Sequence, residues 1–304
     1  MKVFVTGATG FVGINAVREL SRLHDVVVFV RNREAAESYF KDRVEIKLGD
    51  VRDVESLRKA LSDRFDAVLH IAGVISAHNL DRLYQVNRYG SRNVAQVAKE
   101  SGVENFVYVS SLAARGPDGI GRPISHYGNS KRLGELEILN YFGDKNLKII
   151  RPPIIFGPHD RGTFPLFKLA SLGVYPVIDR VYSFLYVKKL AVILKKLLEF
   201  KTPKLSLFYA SSFTVAFPKL MECLSEVSKK RGFTIKLPMS FIKIAAQLST
   251  GNTPFTKDKV REIEPKAWSC NSETVKKTLK VEPSLDMCEA IKETFEWYKT
   301  NGWL

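Results

Sequence analysis

The first 150 residues alternate between short, β-branched apolar runs and segments whose apolar residues recur at helical spacing. Lys2–Thr6 is a brief apolar run that ends in a glycine-rich turn, and Phe11–Leu23 then carries Val12, Ala16, Val17 and Leu20 along one helical face. Asp25–Val30 reads DVVVFV, which is apolar without interruption after its first residue, the pattern of a strand buried on both faces of a parallel sheet. Val44–Leu48, Ala67–Ile71, Phe106–Val109 and Leu147–Ile150 repeat the theme, with helical patterns between them. Such alternation needs crossover connections, and it predicts an α/β fold with a doubly wound parallel sheet over residues 1–150.

After Arg151 the rhythm loosens. Prolines cluster at Pro152, Pro153, Pro158 and Pro165, and helices are predicted over Val187–Phe200, Thr214–Lys230 and Leu285–Thr300. Short strands at Ser206–Tyr209 and Thr234–Leu237 separate them. Residues 151–304 therefore read as a smaller α/β region, mainly substrate-binding and intertwined with the first domain, lying over the sheet's carboxyl edge where ligands of open α/β sheets bind. Leu237–Leu248 is apolar around Lys243 and reads as a core or lid helix rather than a membrane anchor.

Composition narrows this little further. Of the 304 residues 45% are apolar and 26% charged, the balance of an ordinary globular chain. Lys or Arg interrupts every apolar stretch before it could span a bilayer, and MKVFVTG enters a strand directly without a signal core. Cys223, Cys270 and Cys288 are odd in number and too dispersed for a compact zinc site, so reduced thiols and a cytoplasmic setting are expected, with no metal. The net charge of +15 is concentrated in the C-terminal half. It fits a solvated basic face, a site for phosphate-bearing substrates, or an acidic membrane or nucleic-acid surface; no nucleic-acid partner is expected from the remaining motifs.

Chemistry enters at VFVTGATGFVG, where Gly7, Gly10 and Gly13 stand between the first strand and the first helix. Backbone without Cβ can approach a pyrophosphate closely, and a helix N-terminus offers amide donors and the positive end of its dipole. In a strand–turn–helix setting this is the phosphate turn of a Rossmann-type dinucleotide site.

The turn resembles the glycine signature of the extended short-chain dehydrogenase/reductase family, also called the NAD-dependent epimerase/dehydratase family. The resemblance continues in order through LGDV, HIAG, VNRYGSRNV, YVSS, YGNSK and RPPIIFGP. It implies that Thr9, Phe11 and Val12 join the three glycines around the cofactor. It also implies that Asp50 and Val51 flank the adenine, that Ala72 and Gly73 line the cofactor channel, and that Asn87 stands beside the active-site helix. Ser110 and Pro152 complete the implied cofactor contacts, and a homodimer through helices of the first domain would be typical of the family.

The second strand ends in Val30-Arg31-Asn32-Arg33, where a free ribose 2′-hydroxyl usually meets an acid and a 2′-phosphate meets an arginine. Arg31 therefore favours NADP, with NAD possible.

Tyr-x-x-x-Lys places both side chains on one helical face, and an ammonium beside a phenol favours the phenolate. The pattern is cheap in a chain with 11 tyrosines, and it occurs twice, at Tyr127–Lys131 and Tyr141–Lys145. Only Tyr127 follows a serine pair, Ser110 and Ser111, that ends a strand; Tyr141 precedes Phe-Gly-Asp, a helix end. The family resemblance assigns the same set: Ser111 as the catalytic hydroxyl, Tyr127 as acid/base and Lys131 as its tuner. His126 reads as a bystander, while His78, His159 and Asp160 are loop candidates for the substrate site.

Two departures from the family pattern stand out. Leu112 and Ala113 occupy the places of the acid pair that eliminates water in the dehydratase branch, and Val187 is followed by Lys188 and Lys189 where the family has acids. The expected activity is accordingly an NAD(P)-dependent reductase or dehydrogenase that transfers a hydride between nicotinamide and a small-molecule carbonyl or alcohol. A nucleotide-sugar 4-epimerase is the alternative, and a non-catalytic dinucleotide sensor the third reading.

Overall fold

The computed structural model describes residues 1–75, 79–143, 145–248 and 257–304. Along the first half run β1 (Lys2–Thr6), α1 (Phe11–Leu20), β2 (Asp25–Val30), α2 (Arg33–Phe40), β3 (Glu45–Leu48), α3 (Val54–Ala60) and β4 (Ala67–His70). There follow α4 (Leu80–Tyr84), a π-helical stretch (Gln85–Gly90), α5 (Ser91–Glu100), β5 (Asn105–Val109), a 3-10 turn (Leu112–Arg115), α6 (His126–Phe142) and β6 (Asn146–Ile150). The second half contains β7 (Ile154–Phe156), α7 (Phe164–Ser171), β8 (Val174–Val177), β9 (Val181–Tyr186), α8 (Val187–Glu199), β10 (Ser206–Phe208) and β11 (Phe213–Ala216). It ends with α9 (Phe217–Ser228), β12 (Phe233–Lys236), α10 (Met239–Leu248), α11 (Lys257–Ile263), β13 (Ala267–Trp268) and α12 (Met287–Thr300).

Seven parallel strands form the main sheet in the order β10-β6-β5-β4-β1-β2-β3. The uninterrupted apolar strands have a direct cause in this layering. Val3 and Val5 of β1 and Val26, Val28 and Val30 of β2 enter one core with α1 and α8, while Phe4, Val27 and Phe29 enter the other with α3, α5 and α6. Both faces are covered, so no position in these strands can be polar without a partner. Strand order reverses between β1 and β4, which opens a crevice at their carboxyl ends.

The chain does not leave this layer at residue 150. Helix α8 packs on α1 and β10 pairs with β6, so residues 187–208 complete the main sheet. The remaining C-terminal elements enclose their own core, with Phe156, Phe184, Leu220, Trp268 and Phe295 within it. Here β9 is flanked by β7, β11 and β13, and β8 pairs with β12 in a separate two-stranded ribbon.

Two expectations need correction. Thr214–Ala216 is strand, not helix, and α9 begins only at Phe217, with Pro218 in the first turn where its missing N–H costs nothing. Cys223 and Cys288, 65 residues apart, are joined as a disulfide where α9 meets α12, with Cα atoms 5.7 Å apart; of the three thiols only Cys270 is free. Sequence spacing gave no sign of that meeting, because tertiary packing alone creates it. In α10, Phe241 and Ile244 face outward while Ile242 is buried against Val260 of α11 in a small separate core.

Lys188 is ion-paired with Glu293 of α12, and Lys189 donates to the Glu282 carbonyl at 3.2 Å. The departure from the family's acids is thus matched by acidic and carbonyl partners on the facing segment.

Candidate active site

The glycine turn is held at both ends. Gly7 has φ +75°, and a Cβ there would stand 2.6 Å from the Ala72 amide nitrogen at the end of β4. A Cβ on Gly13 would stand 2.1 Å from the Gly7 carbonyl oxygen, so α1 can approach the turn only with glycine at that place. Gly10 N-caps α1 without a side-chain acceptor, so the first-turn amides have no side-chain cap from that residue. Thr9, Phe11 and Val12 are half-buried around this turn. Together they form a cradle that a Cβ would fill and whose donors suit a pyrophosphate, as a dinucleotide requires.

Further along the crevice the sequence candidates fall in order. Arg31 is exposed at the end of β2, close enough to Asp50 to help lower that carboxyl. The main cause of the lowering is the hydrogen bond from Arg52, whose guanidinium grips Asp50 at 2.7 and 3.0 Å. Val51 is buried against Gly90. Ala72 and Gly73 follow β4, and Gly73 lies between the Asn87 side chain and the Lys131 ammonium. Asn87 sits on the π-helical stretch and uses both ends of its amide. It accepts from the Val74 amide at 2.9 Å and donates to the Val74 carbonyl and to Ser130 Oγ at 2.8 and 2.9 Å, tying the loop after β4 to α6.

Helix α6 carries the Tyr and the Lys. Ser125 N-caps it, accepting from the Gly128 amide at 2.9 Å. Four residues on from Tyr127, Lys131 is buried, donates to the Val109 carbonyl at 2.8 Å and lies 4.3 Å from the centre of the Tyr108 ring. Burial lowers its ammonium to about 7, with Glu135 opposing. The Tyr127 phenol packs on the C-terminal core and is raised to about 12 by desolvation; a hydrogen bond with Ser111 pulls down and Glu262 adds to the rise. Sequence reasoning expected Lys131 to depress Tyr127. No such influence is among the causes here, so a lower value would need further positive charge over the crevice. Ser111 itself caps the 3-10 turn, accepting from the Ala113 amide at 3.2 Å.

Ser110 is turned away from the crevice: its buried hydroxyl donates to Glu135 at 2.6 Å. Pro152 is buried, and its carbonyl accepts from the Leu112 amide at 2.9 Å, which fixes the turn behind Ser111. The second Tyr-x-x-x-Lys match lies at the opposite end of α6. Tyr141 packs in the sheet core, and Lys145 meets Glu104 at the amino edge of β5, 3.6 Å away.

The other histidines and Asp160 have structural tasks. His126 Nδ1 lies 3.1 Å from the Tyr84 hydroxyl. His159 is wedged between Tyr39 and Trp297 and is lowered to about 4 by burial and by Arg18. Asp160 accepts from the Gly162 and Thr163 amides at 2.7 and 3.0 Å ahead of α7. His78 lies outside the described residues.

Three features were missed. A buried Glu135–Arg151 pair, bonded at 2.8 and 2.7 Å and joined by Arg132, braces α6 against the end of β6. Its sequence signal was an arginine closing an apolar strand together with an acid on the helix already singled out. A second network runs from Thr6 Oγ1 to His70 Nδ1 at 2.6 Å and from His70 Nε2 to Ser91 Oγ at 2.9 Å. Ser91 donates to the Asn87 carbonyl at 2.7 Å, so Nε2 carries the histidine proton and Nδ1 accepts from Thr6. Thirdly, α11 brings Asp258 to the amides of His126 and Tyr127 and Glu262 to the Ser125 hydroxyl, at 2.6, 3.0 and 2.8 Å. No spacing in the sequence announces that contact.

A dinucleotide crevice ending at a Ser–Tyr–Lys set defines the class, a Rossmann-fold enzyme. The sequence model of the NAD dependent epimerase/dehydratase family matches residues 3–204, and the chain belongs to that family. It is 32% identical to a ceramide reductase of Caulobacter vibrioides (strain NA1000 / CB15N), over 99% of this chain and 96% of that protein. It is also 32% identical to an N-acetyl-alpha-D-glucosaminyl-diphospho-ditrans,octacis-undecaprenol 4-epimerase of Escherichia coli O157:H7, over 58% of this chain and 56% of that one. Among solved structures, the Bordetella bronchiseptica enzyme WbmG in complex with NAD superposes with a TM-score of 0.80 over 99% of this chain and 95% of that chain, at 18% identity, a likeness of fold.

Proposed function

We propose that this protein is an NAD(P)H-dependent ketone reductase, with Tyr127 as the proton donor. The observation that carries the reading is that Ser111, capping the 3-10 turn after β5, and Tyr127 and Lys131, four apart on α6, gather at the carboxyl edge of the sheet while Leu112 and Ala113, both buried, fill the positions of the dehydratase acids. Likeness along the whole chain to a reductase, against about half of the epimerase, supports the same choice.

The glycine cradle would hold the pyrophosphate and Arg31 would stand beside the adenosine ribose, where a 2′-phosphate would suit its charge; a dinucleotide held there would provide the hydride that a ketone reduction needs. Ser111 donates a hydrogen bond to the carbonyl oxygen as charge develops on it. Tyr127 gives its proton to that oxygen, and positive charge over the crevice, from Lys131 together with the oxidised nicotinamide, would stabilise the phenolate left behind. Reduction needs no further acid or base. The Glu262 carboxylate near Tyr127 already accepts from Ser125 and is paired with Lys259 at 2.8 Å, so it is committed to structure. By analogy with the full-length relative, the substrate is a ketone on an amphiphilic lipid, received under the C-terminal region.

The test follows NADPH absorbance with a panel of long-chain keto lipids and, in parallel, chromatography of nucleotide-sugars. Ketone-dependent loss of NADPH with unchanged sugars is expected. Interconversion of sugar epimers without net NADPH loss would replace the reading with a 4-epimerase, and a 4-keto-6-deoxy product would refute the argument from Leu112 and Ala113.

A further inference from the structure

The outer edge of the C-terminal region is apolar where a soluble surface would be polar. The ribbon of β8 and β12 buries Tyr175 on its inner face, and the register pairs Thr234 with Tyr175. Phe233 and Ile235, which alternate with Thr234, therefore lie on the outer face with Val174 and Pro176. Phe233 is 62% exposed, and Leu172, which leads into β8, is 69% exposed. After the ribbon, Pro238 turns the chain into α10, whose Phe241 is 67% exposed. Exposed aromatic and branched side chains thus follow one another from the ribbon into α10 and form an apolar rim along this stretch of chain.

Cations frame this rim. Lys229, Lys230 and Arg231 precede β12 and Lys236 ends it, and every residue from 229 to 236 is exposed. Gly173 and Gly232 are in backbone contact, which brings Leu172 against the Arg231 end of the cluster. Among the described residues none of these four cations forms a salt bridge, whereas Lys243 of α10 is paired with Glu264.

We propose that this rim is a docking surface for a membrane leaflet rich in anionic phospholipid. Aromatic and aliphatic tips with flanking lysines and arginines match the apolar boundary and the negative headgroup layer of such a leaflet. A nucleic acid would reward the charges but not the apolar tips. A second copy of the chain would bring like charges together. The surface does not depend on the reaction at Tyr127, and its test reads no activity.

The full chain is sedimented with vesicles of phosphatidylcholine alone and of phosphatidylcholine mixed with phosphatidylglycerol. Binding is expected to the mixed vesicles, weakly to the neutral ones, and to fall as salt is raised. Lys229→Glu with Arg231→Glu should weaken it by roughly tenfold or more, since each basic residue near an anionic surface contributes on the order of a fewfold. Phe233→Ser with Phe241→Ser should weaken it by a similar factor, with charge unchanged. Both pairs are exposed, and thermal melting checks that the variants fold; were the phenylalanine pair to fail, the charge pair and the salt series still decide. Absence of native binding to mixed vesicles would overturn the proposal, as would full binding by the folded phenylalanine variant. A native dimer abolished by that variant would overturn it in favour of a second copy.

Discussion

The Asp258 carboxylate accepts the backbone amide of Tyr127 at 3.0 Å, and that of His126 at 2.6 Å, so a helix near the end of the chain closes the first turn of α6. Amides of a first helical turn have no partner within their own helix, and an anion there also meets the positive end of the dipole. Asp258→Ala should therefore lower stability by about 1 kcal/mol. Asp258→Asn, which keeps an acceptor but loses the charge, should cost less. Urea titration of the three proteins measures both effects, and equal midpoints would mean that the contact contributes nothing.

Tyr127→Phe should reduce turnover by about 10² to 10⁴, the range for loss of a positioned proton donor, with cofactor affinity nearly unchanged. Tyr141→Phe should turn over like the native protein, because Tyr141 lies in the sheet core at the far end of α6. Steady-state rates and fluorescence titration of the cofactor check this pair. An inactive Tyr141→Phe with an active Tyr127→Phe would reverse the assignment.

Cofactor choice rests on Arg31, exposed at the end of β2 and near Asp50. NADP(H) should bind more tightly than NAD(H), and Arg31→Asp should invert the order by replacing a phosphate partner with a hydroxyl acceptor. Equal affinities in the native protein would remove Arg31 from the site.

His70 supplies a pH dependence. Burial first, and Lys131 second, lower the imidazole from 6.5 to about 3. Below pH about 6.5 the unfolded chain takes up a proton that the native protein refuses, so native stability falls as pH falls through that window and is insensitive to this group above it. Between pH ~6.5 and ~5 the loss should approach about 2 kcal/mol. A His70→Gln protein should lack that part of the slope, as denaturant titrations at the two pH values would show. Parallel curves for both proteins would mean that His70 is protonated in the native state.

The sheet was readable because its cause is local. A strand covered on both faces must be largely apolar, and the β-branched run of DVVVFV after its exposed Asp25 matches that placement. The glycine turn was readable for the same reason: Gly7 and Gly13 stand where any Cβ would strike backbone, and their spacing between a strand and a helix is visible in sequence. Helix α9 was placed too early because β-branched Thr214 and Val215 were merged with the helix beyond Pro218; pairing with β9 decides that they extend.

Residue types and spacing made the glycine turn and the Tyr127–Lys131 helical spacing legible, because each depends on neighbours within a turn or two of chain, and the order of short motifs along the chain pointed to the family. Contacts between distant segments were decided only by the tertiary structure. Ser110 turns to Glu135 because Arg151 lies across from it, Asp258 reaches Tyr127 from 131 residues away, and Cys223 meets Cys288 across 65. Each of these depends on how whole elements dock, and docking is set by the shapes of packed cores rather than by any periodicity that a single stretch of sequence can carry.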